Sequence, residues 1–309
     1  MPESTPLSSS STPGPNTPGP STATGSHPRL VLVDGHNYLW RAFHAIPPRV
    51  RADGVQVNAL YGFVANLLRR IVLNARASHI ALVFDPDGPS FRHQIYPDYK
   101  ANRAEPPAEL TAQLPLIREA TDAFGIARLE QPGFEADDLI ATYTRHACAA
   151  GMKVTIVSSD KDLLQLVDDA RGVSVYHPQT KAVLHEAQVI EKFGVPATRI
   201  PDVQALTGDA GDGIPGIPKI GPKIAAELVN TFGTLEQVLS RAEEIPQAKR
   251  RERLRDGADT ARLAMRLVRL CDDAPLPAPL ADLAVRAYAP GDVRAFLSRN
   301  ALEIPGPWA

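Results

Sequence analysis

Three short, unbroken apolar runs, each ending in aspartate, organise the chain beyond residue 29: LVLVD (30–34), HIALVFD (79–85) and KVTIVSSD (153–160). Runs of this length with no polar alternation predict strands covered on both faces. IARLEQPG (126–133) predicts a fourth, weaker strand. Between them the apolar positions return at helical spacing. In 58–75, Leu60, Phe63, Val64, Leu67, Leu68, Ile71 and Val72 share one face, and 108–123 and 135–150 predict further helices. Strands alternating with helices predict an α/β fold with a mostly parallel sheet. Residues 91–107 break the alternation with a polar, basic, proline-flanked stretch that reads as a mobile insertion over the sheet edge. From about residue 186 the pattern becomes helical, and beyond about 271 it is rich in Pro and Ala, with one helix near 291–300. Residues 1–28 offer almost nothing to bury and predict a disordered Ser/Thr/Pro-rich tail.

In open parallel sheets ligands bind beyond the carboxyl ends of the strands. Asp34, Asp85 and Asp160 stand at three such ends and are expected to share one crevice. Other acids lie in comparable places: Glu135, Asp137 and Asp138 at a helix start, Asp162 after a strand, and Asp209 and Asp212 in a glycine-rich turn. Taken singly, EADD and SDKD read as helix caps and the last pair as turn chemistry. Together they pose an electrostatic problem that a pair of hard divalent cations solves. Mg²⁺ suits oxygen donors and keeps several waters, and two ions can clamp an in-line phosphodiester displacement.

At 309 residues the chain has room for one large domain or two smaller ones. Its net charge of −2 announces no nucleic-acid binder. Setting the nine acids aside, however, leaves the remainder at roughly +7. Two cysteines argue against a disulfide framework and for a reduced cytosol. No apolar run approaches a membrane span, and no secretory signal opens the chain. The histidines are scattered, which leaves no zinc alternative.

The basic stretches supply a counterpart to the acids. Arg92, Lys100 and Arg103, interleaved with Tyr96 and Tyr99, fit phosphate contact plus base stacking, or else a solvated loop. IPGIPKIGPK (214–223) fits a hairpin between two helices. Its glycines let backbone N–H groups approach phosphate, and Lys219 and Lys223 add charge. KRRERLR (249–255) either extends that track or is an exposed charged helix.

VDGHNYLWRAFHA, ALVFD, SFRHQIYPDYKANR, QPGFEADDLIAT, VSSDKDLLQLV and LTGDAGDGIPGIPKIGPKIA together resemble the 5′ nuclease of bacterial DNA polymerase I and its stand-alone relatives. Flap endonucleases and phage 5′ nucleases belong to the same superfamily. The resemblance spans about residues 29 to 300. It implies a PIN-like α/β nuclease core over 29–185 with a helical arch at about 90–110. It also implies a helical DNA-binding region over 186–309, with a helix-hairpin-helix at about 208–233. It implies hydrolysis of 5′ flaps and 5′ ends on branched or duplex DNA, RNA primers included, by a monomer in the bacterial cytoplasm, associated with the nucleoid.

By resemblance all nine acids are metal ligands for two Mg²⁺ ions, with Mn²⁺ as a substitute. Asp34, Asp85, Glu135 and Asp137 fall nearer the first ion. Asp138, Asp160, Asp162, Asp209 and Asp212 make up the rest. Lys100 and Arg103 match arch residues that steer the scissile phosphate, and Arg41, Arg92 and Tyr99 match substrate contacts. Gly216 to Gly221 match a hairpin that in some relatives holds K⁺. No polymerase domain follows Ala309, which reads as a stand-alone enzyme for replication or repair. Two readings compete: a PIN-type ribonuclease, against which residues 208–233 speak, and a non-catalytic binder of branched DNA, which would be expected to lack ligands.

Overall fold

The computed structural model describes residues 28–72 and 77–306; the predicted tail and the end of the 58–75 helix lie outside them. The chain runs β1 (Arg29–Asp34), α1 (Gly35–Ala45), α2 (Asn58–Gly62), β2 (His79–Val83), α3 (Phe91–Ile95), α4 (Ala108–Thr111), α5 (Leu114–Ala123), β3 (Ala127–Leu129), α6 (Ala136–Ala149) and β4 (Lys153–Val157). It continues through β5 (Val173–His177), β6 (Ala182–Leu184), α7 (Glu186–Phe193), α8 (Ile200–Thr207), α9 (Pro222–Phe232), α10 (Leu235–Ser240), α11 (Ala248–Asp256), α12 (Ala258–Val268) and α13 (Pro290–Arg299). Helix α2 continues over Phe63–Val72 in the wider π winding. The predicted helix at 108–123 is broken, because Pro115 starts a new one near its N-terminus.

One six-stranded sheet has the order β3-β2-β1-β4-β5-β6, parallel except for β6. Successive residues of β1 serve opposite faces. Val31 and Val33 pack with α1, α2 and α5, whereas Leu30 and Leu32 pack with α6. This two-sided burial explains the unbroken apolar runs. The strand order turns outward in both directions from β1, so the chain leaves β1 and its neighbours toward opposite sides. A cleft opens there beyond the strand ends.

A third core is formed by α8 to α12, with Val203, Leu206, Ile217, Leu228, Leu254 and Leu267 at its centre. Helices α8 and α9 flank the hairpin at 208–221, as the helix-hairpin-helix expectation requires, although α8 begins upstream of residue 208. The expected boundary at 186–309 does not hold. From Leu270 to Leu283 the chain packs back on the sheet core, and Val293, Phe296, Leu297, Leu302 and Ile304 fill its other face.

The expected arch is helical over Phe91–Ile95 and again from Ala108, and the stretch between does not ride free. Lys100 N–H donates to Asp212 O at 2.8 Å, and Asn102 Nδ2 donates to Ala210 O at 2.8 Å. Tyr99 is 3% exposed and joins the core of the helical module. The insertion is therefore clasped to the 209–213 turn.

Candidate active site

A crevice of roughly 670 Å³ opens at the cleft beyond β1, β2 and β4. Asp34, Asp85, Glu135, Asp137, Asp160, Asp162 and Asp212 line it, together with Tyr99, Lys100 and Arg103. Local structure places each acid. Asp34 caps α1, accepting from Asn37 N–H at 3.1 Å, and its other oxygen accepts from Ser158 Oγ at 2.7 Å. Asp85 accepts from Ala136 N–H at 2.7 Å, which fastens the end of β2 to the start of α6. Asp160 accepts from Asp162 N–H at 2.9 Å, and Asp162 accepts from Gln204 Nε2 of α8. Sheet core and helical module thus meet at the carboxylates.

Glu135 caps α6 and accepts more hydrogen bonds than any other acid of the crevice lining. Ser90 Oγ (2.9 Å), Tyr99 OH (3.0 Å) and Lys100 Nζ (2.8 Å) all donate to it. Burial alone would raise its pKa, but Lys100 and Arg92 outweigh that and hold it below the usual range. Arg103 pairs with Asp212, and Lys161 pairs with Asp209 at 2.5 Å. Lys100 adopts a left-handed backbone (φ 57°), an uncommon state for a side-chain-bearing residue, fixed here by its bond to Asp212.

The remaining acids lack such neutralisation. Burial, aided by the charges of Asp160 and Asp85, pushes Asp34 up to about 7, and burial with Asp160 takes Asp162 to about 6. Asp137 is driven well up by burial and then by Asp160 and Asp34. Buried, mutually repelling oxygen donors of this kind fit a hard divalent cation. Among the described residues no three acid, His or Cys side chains form a ready-made cage. An ion such as Mg²⁺, which keeps part of its water shell, needs none.

Three expectations are corrected. Asp138 is fully buried and does not reach the crevice, because both its oxygens accept from the Arg92 guanidinium at 2.7 and 2.8 Å. Arg92 is 1% exposed and has no free face for DNA. Tyr99, with its hydroxyl on Glu135, is too buried to stack a base. Asp209 lies outside the crevice lining, paired with Lys161, which is outside it too. Arg41 lies on α1 in an adjoining groove of about 1020 Å³ that shares Asn37 and Trp40 with the crevice and includes Lys181.

In the hairpin, buried Ile217 and Ile220 hold an exposed tip at Pro218 and Lys219, with Lys219 left-handed at φ 66°. Lys223 is exposed in the first turn of α9, whose N-cap, Gly221, supplies no side-chain acceptor. Gly216 faces Thr207 rather than solvent.

His36, Lys161, Ser90 and Gln204 carry no signal in the sequence that marks them as site residues. His36 Nδ1 accepts from Asp85 N–H at 2.9 Å, and His36 lines the crevice. Its place directly after the Asp34–Gly35 strand end is the one hint of that.

The raised carboxyl pKa values give a pH prediction. The unfolded chain loses these protons near 3.8, whereas the folded chain holds them to about 6 to 7. Between those values the metal-free fold binds more protons, so its stability falls as pH rises through that window. A divalent ion competes with the same protons. The Mg²⁺-induced rise in Tm is therefore expected to be larger at pH 8 than at pH 5.5. Burial depresses His177, which acts in the opposite sense, but it lies outside the crevice lining and should not alter the Mg²⁺ difference. Equal Mg²⁺ shifts at both pH values would count against cation binding here.

Residues 29–194 match the model of the 5′-3′ exonuclease N-terminal resolvase-like domain, and 195–290 match that of the 5′-3′ exonuclease C-terminal SAM fold. DNA polymerase I of Rhizobium leguminosarum is 49% identical over 260 residues, covering 82% of this chain and 25% of that protein. The thermostable DNA polymerase I of Thermus thermophilus is 38% identical over 271 residues, covering 88% and 32%. The chain thus spans only a quarter to a third of these relatives. Phage T5 5′-exonuclease with bound zinc superposes with a TM-score of 0.64 at 22% identity, covering 89% of this chain and 99% of that one. The T5 flap endonuclease in a pseudo-enzyme–product complex with DNA and metal ions gives 0.64 at 22%, covering 79% and 89%. At that identity the likeness establishes the fold.

Proposed function

Because the chain belongs to the 5′-3′ exonuclease family, we propose that it hydrolyses phosphodiester bonds at 5′ ends and 5′ flaps of branched or duplex DNA, using two divalent ions. The observation that carries this reading is the crevice itself. Buried, uncompensated carboxylates lie within one cavity of Lys100 and Arg103, so a cation site and a phosphate-orienting site adjoin.

Asp34, Asp85, Asp137, Asp160 and Asp162 would hold most of the ion charge, with Glu135, Asp209 and Asp212 completing the set. When bound, the ions supply charge neutralisation and Lewis-acid activation of water. Lys100 and Arg103 orient the scissile phosphate, and Tyr99 and Ser90 fix Glu135. Mg²⁺ is the proposed ion, with Mn²⁺ as a substitute.

The hairpin tip, Lys219, Lys223 and the open start of α9 grip duplex phosphates without reading sequence. Carbonyls between Gly216 and Gly221 are the proposed K⁺ site. Arg41 contacts the strand beside the crevice. RNA-primed 5′ ends are further proposed substrates, acted on by a monomer in the cytoplasm beside the nucleoid. No helix among the described residues is long and apolar enough to cross a membrane.

The test is cleavage of a 5′-flap DNA in Mg²⁺ by the wild type, Asp85→Ala and Asp160→Ala. Losses of about 10²–10³-fold are expected for each variant, the scale of removing one electrostatic contributor to a transition state. Undiminished cleavage by both variants sinks the assignment of these carboxylates. Flap binding without cutting in Mg²⁺ sinks the nuclease reading.

A further inference from the structure

The segment 267–271, which leads out of α12 back to the sheet core, is held at both of the elements that carry the central carboxylates. On one side Arg92 donates to Leu267 O at 2.8 Å and to Arg269 O at 3.3 Å, capping the carbonyl end of α12. The same guanidinium grips Asp138. Asp138 also accepts from Cys271 N–H at 2.9 Å and from Glu135 N–H at 3.0 Å. On the other side Gln165, in the helical turn that begins at Asp162, donates to Val268 O and accepts from Leu270 N–H, each at 3.2 Å. Leu267, Val268 and Leu270 themselves form part of the crevice wall.

We propose that this strap is a coupling element. Arg92, Asp138 and Gln165 are positioning residues through which the seating of the helical module sets Glu135, Asp137 and Asp162. Arg92 borders the crevice and lies 3.7 Å from Glu135, but its two hydrogen bonds to a side chain go to Asp138, which stands outside the lining. A buried pair of this kind contributes little net stability relative to apolar residues of similar volume, so it is better suited to fixing geometry. Its bonds join segments 46 to 177 residues apart in sequence and end on the backbone of a catalytic acid. The inference rests on the proposed nuclease reading for its consequence, but not for its geometry.

The experiment compares wild type with Arg92→Met/Asp138→Leu and with Gln165→Met. The first pair replaces both charges with apolar groups, and the second conserves volume while cutting both strap bonds. If the double variant does not fold, Gln165→Met decides alone. Expected is a fall in kcat on a 5′-flap DNA of about 10–100-fold, the usual cost of losing an orienting partner. KM, and the Kd for flap DNA in EDTA, should stay within threefold of wild type. The Glu135 and Cys271 amides of the double variant, and the Leu270 amide of Gln165→Met, should exchange at least tenfold faster. Added duplex DNA should protect these amides in wild type but not in the variants.

Wild-type kcat in the folded variants overturns the proposal. So does a weaker Kd with a salt slope shallower by about one in the double variant but not in Gln165→Met, which would make Arg92 a phosphate contact. A loss of Mg²⁺ affinity confined to the double variant would make Asp138 a ligand and would overturn the proposal as well. If the wild type itself does not cut, the nuclease reading fails, and the exchange measurements still judge the coupling.

Discussion

Asp34→Asn is expected to abolish Mg²⁺-dependent cleavage and, in EDTA at pH 8, to raise Tm. Both effects have one cause. Asp34 is 4% exposed and sits at the centre of the sheet, with its carboxyl pushed up to about 7 by burial and by neighbouring acids. Above that pH the metal-free fold carries a charge that it solvates poorly. Asparagine removes the charge and can still accept from Asn37 N–H or Ser158 Oγ. A gain of about 1–3 kcal/mol is expected at pH 8, smaller at pH 5 and gone below about 3.8, where the carboxyl is protonated in the unfolded chain as well. Cleavage should fall on the order of 10³-fold, because the most buried oxygen donor of the crevice is lost. Melting curves in EDTA and in Mg²⁺ at both pH values check the stability half. A variant that melts below wild type in EDTA at pH 8 would show that Asp34 is not electrostatically frustrated.

Gly216→Ala is expected to cost about 3 kcal/mol or more and to destroy duplex binding, whereas Gly221→Ala should be silent in stability. The two glycines stand five residues apart in one hairpin but do opposite things. A Cβ on Gly216 would lie 2.1 Å from both the carbonyl carbon and the oxygen of Thr207, and the hairpin cannot move off α8 without pulling Ile217 from the core. Gly208, facing it, is equally tight: its own Cβ would meet Gly216 N at 2.4 Å. Around Gly221 a Cβ meets nothing within 4 Å, and the backbone is extended. The sequence suggests that both glycines serve phosphate approach; the structure makes Gly216 a crossing point of two backbones and leaves open space only at Gly221, where the proposed phosphate contact would fall. Thermal melts and duplex affinity of the two variants separate these roles, and equal behaviour would refute the distinction.

The carboxylate crevice is legible in the sequence because strand runs end where ligands bind. LVLVD, ALVFD and VSSD announce both the elements and the site. What stays hidden are the pairings. Nothing in EADD says that Asp137 faces the crevice and Asp138 faces away. The two are one helical step apart, so their side chains diverge by about 100°, and only the tertiary position of Arg92 decides which is which. Tyr99 and Arg92 read as surface residues because they lie in a polar stretch, but long-range contacts bury them: Arg92 reaches residues 267 and 269, and Tyr99 reaches Glu135. Strands β5 and β6 escape a reading by pattern because VSVYH is short and half polar, and its partner β6 has only three residues. The return of the chain after Leu270 to the first core is equally silent. Its Pro- and Ala-rich pattern carries no periodicity that names a partner.

That return gives the molecule an unusual order of completion. Phe296 and Val293 are wholly buried between elements made more than 160 residues earlier, and Arg299 and Asn300 bond to Glu119 and Arg51. The helical module is therefore a detour within one core rather than an appendage to a finished one. During synthesis the strands of the sheet are made long before residues 293–304, which complete the packing of one of its faces. Through that interval the face of α5 that α13 later covers is open, the kind of transiently exposed apolar surface through which growing chains associate wrongly.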